Sequence, residues 1–461
     1  MSEYLLDLAK FSANTASAEI PDDVRTRGAT ILADCVGCMT AGSAEPEVQA
    51  LVDHCRRRPG EPFASIVGTT DRLPIEAAAL VGGTAGTWHD LDEGNLHTRA
   101  HAAIQIVPAA LAEAEVTAKS GRELLDAIIV GYEVAGRLWR ATKARLAVHP
   151  HGTYGPLAAA VALCRLRADR PEDVREAMNI ALTLGSASSR QALGDGATVR
   201  NIYSGHSGRA AFEALALRDI GFTGQKDAPA SILGQIYGES FDADEAVTDL
   251  GKTWWLRKSY FKRFPSGRYT HAALDAIEEL ARRFGERFNG RDITRVDVAT
   301  YFMAATMAHA NVDTPFGVRF SVPALIASRI LYGSRQLIEN GAAAFADPQM
   351  HALAERVFVM EDPAMTAVYP DEQPATVTIT FSDGERAAAA VRKTLGESDR
   401  PLPDGMLRDK FIELAGPALG DANAAKAYGA FCEIDTCSKV ADLMTSMRQA
   451  AQSVRNKERP A

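Results

Sequence analysis

The segment from His89 to His101, HDLDEGNLHTRAH, packs three carboxylates (Asp90, Asp92, Glu93), three histidines (His89, His97, His101) and Arg99 into thirteen residues. An imidazole beside a carboxylate can move a proton at neutral pH, because the carboxylate fixes the ring and its tautomer. The local pattern predicts a Gly/Ala-rich helix that stops near Gly94, and a second helix, capped by Thr98, that runs through RAHAAIQIV. His101 would then sit in a first turn, where main-chain N–H groups favour the neutral ring that a general base needs. Asp90 and Asp92 would stand at the preceding helix end, able to orient a histidine or meet substrate. A metal reading is also open, since His97 and His101 on one helix face would make a zinc pair, but no HExxH accompanies them. The bland alternative is a solvated charged loop.

Three further stretches carry chemistry. In AVHPHGTYGPLAAAVA, residues 147–162, His149 and His151 flank a proline, and Gly152 and Gly155 leave room at the start of an Ala-rich helix, where anionic groups are well received. In DGATVRNIYSGHSGRAA, residues 195–211, Arg200, Tyr203, His206 and Arg209 surround a helix start, and an arginine there can grip a carboxylate with two N–H groups. In YFKRFPSGRYTHAALD, residues 260–275, Lys262, Arg263 and Arg268 fall where the sequence texture changes, a junction of the kind that forms ligand clefts. No GxGxxG, P-loop or GxSxG accompanies them. Acid/base chemistry without a cofactor, on an anionic substrate, explains this inventory best. The natural step is removal of a proton alpha to a carboxylate, which needs a base near the C–H bond and fixed positive charge for the enediolate.

The elements that must position these residues read as two textures. Up to about residue 260 the chain runs in successive Ala/Leu/Gly-rich helical patterns, such as DDVRTRGATILADCVGCMTAG and GPLAAAVALCRLR. Small residues on several faces predict close helix packing. DITRVDVATYF then alternates like a strand, AERVFVMED reads as another, and ATVTITFSDGERAAAAVRKTLG predicts a hairpin about Ser382, Asp383 and Gly384. Helical texture returns after SDRPLPDG. The fold class expected is mostly α: a large all-α helical domain over residues 1–264, completed by 403–461, with a smaller α+β lid domain over 265–402.

The 461 residues are 46% hydrophobic and 24% charged, ample for such a core. A net charge of −9 argues against a nucleic-acid surface. No apolar run approaches the ~18 residues of a membrane span, and the N-terminus lacks the marks of a signal peptide, so a cytoplasmic protein is expected. Six cysteines in so long a chain do not make a disulfide framework, and Cys35 and Cys38 read as a buried pair within a helix.

With these residues in view, the chain resembles the MmgE/PrpD family over nearly its whole length. The family's His-Ala-x-Asp-Phe-Asp-Asp pattern and its later His are similar to TWHDLDEGNLHTRAH. Its His-Pro segment matches HPHGTYGPLAAA, and its Lys-x-x-Pro stretch matches KRFPSGRYTH. The resemblance implies an active-site role for His149 and Lys262 and a supporting one for His271. It also implies a homodimer and no metal or organic cofactor. The chain departs from the pattern at Gly94, Arg200, Gly267 and Ala324, where members carry Thr, Lys, His or Cys, and Tyr.

Residues and resemblance together predict a cofactor-independent lyase for a di- or tricarboxylate-like anion, most like a 2-methylcitrate dehydratase. Cis-aconitate decarboxylase-like or iminodisuccinate epimerase-like activity are alternatives on the same frame, and a zinc hydrolase or a non-catalytic helical dimer are alternatives of another class. Asp90, His101, His149 and Lys262 are the expected catalytic set. Asp92, Arg99, His151, Arg200, Tyr203, Arg268 and His271 are the expected substrate-binding set, with no metal ligands. No nucleic-acid or membrane partner is expected.

Overall fold

The computed structural model describes residues 3–61, 63–99, 101–333 and 341–458, and the chain is mostly helical. The helix Asp22–Gly42 starts behind Pro21 with two acids in its first turn, which suits the positive end of the helix dipole. Gly121–Arg140 opens with a Ser120/Glu123 capping box. Gly155–Arg167, the Ala-rich helix expected after His149, is buried over most of its length. Small residues permit the close packing: a Cβ on Gly83 would lie 2.6 Å from the main chain of Gly205, so helices Ile75–Gly86 and Ile202–Asp219 cross almost backbone to backbone. Cys35 and Cys38 are buried free thiols in this packing.

The helices Met406–Leu419, Asp421–Cys432 and Val440–Glu458 return to the first core, where Phe411, Phe431, Ile434 and Met444 join the same apolar cluster as Leu32, Ile128 and Leu163. A second cluster gathers residues between Phe264 and Val391. It lies under a four-stranded sheet in the order Val357–Glu361, Ile293–Thr300, Ala375–Phe381, Arg386–Val391, with only the first pair parallel. Alternate residues Val377, Ile379 and Phe381 point into the core, as the pleat requires, and the hairpin turns at Ser382–Gly384 as expected. Helices His271–Phe284 and Val322–Tyr332 pack on the buried face.

Two short ladders, Ala64–Ser65 with Arg72–Leu73 and Thr142–Ala144 with Gly238–Phe241, were not expected from sequence, because strands of two to four residues carry no readable period. The chain crosses between the two cores at Phe261 and Phe264, with Lys262 between them. No helix among the described residues is long and apolar enough to cross a membrane.

Candidate functional site

A cavity of about 280 Å³ opens at this crossing. Asp90, Arg99, His101, His149, Arg200, Lys262 and Arg268, seven residues singled out from sequence, line it. They come from three loops of the helical core and from the crossing segment.

The loop that carries Asp90 and His101 is not the pair of helices expected. The first helix stops at Gly86, eight residues before Gly94, and the next begins at Ala103. Gly94 instead forms a β-bridge with Tyr260, donating to its carbonyl oxygen at 3.3 Å and accepting from its N–H at 2.7 Å. Thr98 caps nothing: its buried hydroxyl has no partner, and the N–H of Ala103 donates to the Glu93 carboxyl at 3.1 Å. A tertiary acid thus replaces the local cap. The expected helical stretch also includes Ala100, which lies outside the described residues.

Asp90 is 1% exposed and sits at φ +52°, an uncommon conformation that aspartate tolerates better than most residues. Arg200 donates to its Oδ1 at 2.7 Å, while the Lys262 ammonium donates to its main-chain oxygen at 2.9 Å and lies 3.1 Å from Oδ2. Burial alone would raise the Asp90 carboxyl, but Lys262 and Arg200 outweigh it and hold it below the usual carboxylate range. The two cations expected to receive substrate are therefore already paired with an acid.

His101 and His149 enter the cavity with opposite hydrogen bonding. The Nδ1 of His101 faces two acceptors, Asp92 Oδ2 at 3.0 Å and the carbonyl oxygen of Glu93 at 2.6 Å, so Nδ1 carries a hydrogen. In the neutral ring, Nε2 then holds a lone pair, and it meets the Tyr260 hydroxyl at 3.3 Å. The Nδ1 of His149 accepts the main-chain N–H of His151 at 3.0 Å, so its neutral ring carries the hydrogen on Nε2. Burial, with Arg200, Arg190 and His101 nearby, pushes His149 well below the usual histidine value and keeps it neutral. Asp92 is held low: burial would raise it, but Lys262 and His101 more than compensate. Glu93, one residue on, is pushed up to about 8, first by burial and then by the charges of Asp92 and Asp34.

Other expected residues stand behind or beside the cavity wall. Asp92 lies behind His101, and His151 packs edge-on between His101 and His149 with its buried Nε2 unpartnered. Tyr203 touches the far side of the His149 ring, at 5.9 Å between centroids. His271 packs on Phe264 and lies 3.2 Å from the Arg268 guanidinium, away from the wall. Arg268 itself is held by Glu397 at 2.5 Å, and Arg99 donates to three main-chain carbonyl oxygens. Of the positions that depart from the family pattern, Gly267 lies in the wall and Ala324 is buried in the second core.

Sequence reasoning missed Tyr260 and Arg190, both in the wall. A Cβ on Gly94 would come 2.3 Å from the Tyr260 oxygen and 2.9 Å from His101 Cε1, so the glycine makes room for the phenol. Burial raises that phenol well above its usual value, against the Arg268 guanidinium 4.4 Å over its ring, and it stays a donor.

The zinc pair does not form as expected. His97 lies 3.9 Å from Asp371 and stacks on Trp255, and the described residues before His101 make a bridge and turns, so no common helix face exists. A different trio, Asp92, His101 and His151, offers ligand atoms within 4.8 Å of one another. A cation there would displace the Asp92 to His101 hydrogen bond and face the charges of Lys262 and Arg200, both of which act on His151.

The chain matches known proteins over most of its length. The MmgE/PrpD N-terminal domain matches residues 6–237 and the MmgE/PrpD C-terminal domain matches residues 264–430. The chain is similar to the cis-aconitate decarboxylase-like protein oryM of Aspergillus oryzae, 24% identical over 95% of this chain and 96% of the relative. It is 22% identical to a cis-aconitate decarboxylase of Aspergillus terreus, over 95% of this chain and 94% of that protein. A 2-methylcitrate dehydratase of Salmonella typhimurium is 24% identical over 45% of this chain and 46% of its own length.

Proposed function

This chain belongs to the MmgE/PrpD family, and from that premise we propose that it is a lyase that starts by removing a proton alpha to a carboxylate. His101 is the base. The observation that carries this is the fixed tautomer: Asp92 and the Glu93 carbonyl oxygen hold the Nδ1 hydrogen, which leaves the Nε2 lone pair at the cavity. The substrate C–H bond breaks, the proton goes to Nε2, and the electron pair moves into the carboxylate as an enediolate. His149, neutral and carrying Nε2–H, donates a hydrogen bond to the developing oxyanion without needing to lose its proton. Arg200 and Lys262 act through Asp90, holding a pre-formed polar wall beside the reacting carbon.

In dehydration, the favoured reading, the pair then forms the C=C bond while the beta hydroxyl leaves, taking the proton from the His101 imidazolium as water. A second reading, decarboxylation, is supported by the relatives matched over 95% of the chain, which are decarboxylase-like. There the imidazolium of His101 would protonate carbon after carbon dioxide departs. The two reactions thus require opposite initial protonation of one ring. Proton NMR in deuterated water with 2-methylcitrate, citrate and cis-aconitate tests both. Deuterium alpha to a carboxylate with loss of hydroxyl supports the first, and a new alkene with evolved carbon dioxide supports the second. No exchange and no product from any of the three would sink the proposal.

A further inference from the structure

Six arginines and lysines line the cavity, and among the described residues five of them are already engaged. Arg200 and Lys262 hold Asp90, Arg268 holds Glu397, and Arg99 and Arg145 donate to main-chain carbonyl oxygens. Arg190 differs. Its whole guanidinium has no hydrogen bond or ion pair with any described residue, and its Nε, like that of Arg200, is shut off from solvent with no partner. Its main chain is nonetheless firmly held: its N–H donates to the Ala147 carbonyl oxygen at 2.8 Å, its carbonyl accepts from Leu193 at 3.0 Å, and the neighbouring Ser189 bridges Val148. A buried guanidinium N–H without an acceptor is costly, and a charged one more so, unless a ligand supplies the acceptor.

We propose that Arg190 grips a substrate carboxylate other than the one that becomes the enediolate, and so selects substrates with an additional carboxylate. This rests on the reading of the cavity as a carboxylate site. Arg190 shares the wall with His149 and Tyr369, and its charge acts on both. Asp90 offsets one of the two charges of Arg200 and Lys262, whereas no acid among the described residues pairs with the Arg190 guanidinium, so its whole charge is open to an arriving anion. The planar fork can bind a carboxylate through two N–H groups, which a lysine cannot do.

Calorimetric titration of wild type, R190Q and R190K with propane-1,2,3-tricarboxylate, and with glutarate as the analogue short of one carboxylate, tests it. R190Q is expected to weaken tricarboxylate binding by about 10- to 100-fold, and to weaken glutarate much less, with R190K between. Unchanged tricarboxylate binding in R190Q, or equal losses for both probes, would overturn the proposal, as would a wild type that does not bind the tricarboxylate. Melting temperatures matching the wild type keep misfolding from passing as support. The deuterium exchange above separates the two ideas. Exchange or product with no effect of R190Q leaves the lyase reading standing alone, and selective binding loss with neither exchange nor product leaves Arg190 standing and removes the lyase.

Discussion

The loop from Thr87 to Ala102 backs His101 with a carboxylate and a carbonyl oxygen, whereas the loop from Val148 to Tyr154 backs His149 with a main-chain N–H. The surroundings differ to match. Asp92 shares its charge with His101, while Arg200 and Arg190 bear on His149. The same side chain, on either side of His151, whose ring lies 4.9 Å from one and 4.7 Å from the other, is thereby prepared as an acceptor in one place and a donor in the other. What distinguishes them is the backing of Nδ1, which residue identity alone does not reveal.

That contrast breaks most sharply under substitution of the rings. H101Q is expected to cut alpha-proton exchange by about 10²- to 10⁴-fold, the usual contribution of a positioned acid/base. D92N leaves the Glu93 carbonyl oxygen on Nδ1 and so keeps the tautomer, but removes the charge behind the imidazolium and should cost about 10- to 100-fold. H149Q keeps an N–H donor and should lose no more than about 10- to 100-fold, chiefly in kcat. Exchange that survives H101Q and vanishes in H149Q would reverse the roles. Long-range ¹⁵N–¹H spectra sharpen the point without kinetics, since Nδ1–H on His101 and Nε2–H on His149 have distinct signatures.

Next in size is the space at Gly94. In G94T the new Cβ would occupy the place of the Tyr260 oxygen and press on His101, with an expected loss of about 10- to 100-fold in kcat from displacement of the base. Adding Y260A to G94T should recover part of it, because the two changes share one volume. If the double variant loses the full sum, the clash is not the cause. Y260F removes only the hydroxyl donated to His101 Nε2 and should cost about 3- to 10-fold.

Much of the scaffold was legible because it is local. The helices Asp22–Gly42 and Gly155–Arg167 and the hairpin at Ser382–Gly384 follow from period, caps and turn residues. The chemically rich loops were legible as composition, and seven of their residues meet at one cavity. The rest was set at a distance. Gly94 looked like a helix stop, but its role depends on Tyr260, far along the chain, and Thr98 was a good local cap that lost to the Glu93 carboxyl. Arg190 gave no signal, because its distinguishing property is a missing partner, which no spacing encodes. His271 and Tyr203 sat in the right segments and face neighbouring rings instead of the cavity wall.

The smallest effect on catalysis, and a separate one on stability, is expected at Glu93, where the contrast in surroundings recurs between adjacent acids, cations prevailing at Asp92 and burial at Glu93. Lys262, His101 and Arg200 hold Asp92 down, while burial drives Glu93 from 4.5 to about 8. Below pH 4.5 the unfolded and folded chains both carry the Glu93 proton, and its contribution to stability is complete. Between 4.5 and about 8 the unfolded chain releases that proton and the folded chain keeps it, so stability falls as pH rises, by an amount on the order of a few kcal/mol. A glutamine can accept from Ala103 N–H through its oxygen and donate to Tyr132 through its amide, so E93Q should fold. The urea midpoint of the wild type should then drop between pH 5 and pH 8 by more than that of E93Q. Parallel curves would mean that Glu93 ionises freely in the folded state, and that the His101 loop is backed by two charged acids rather than one.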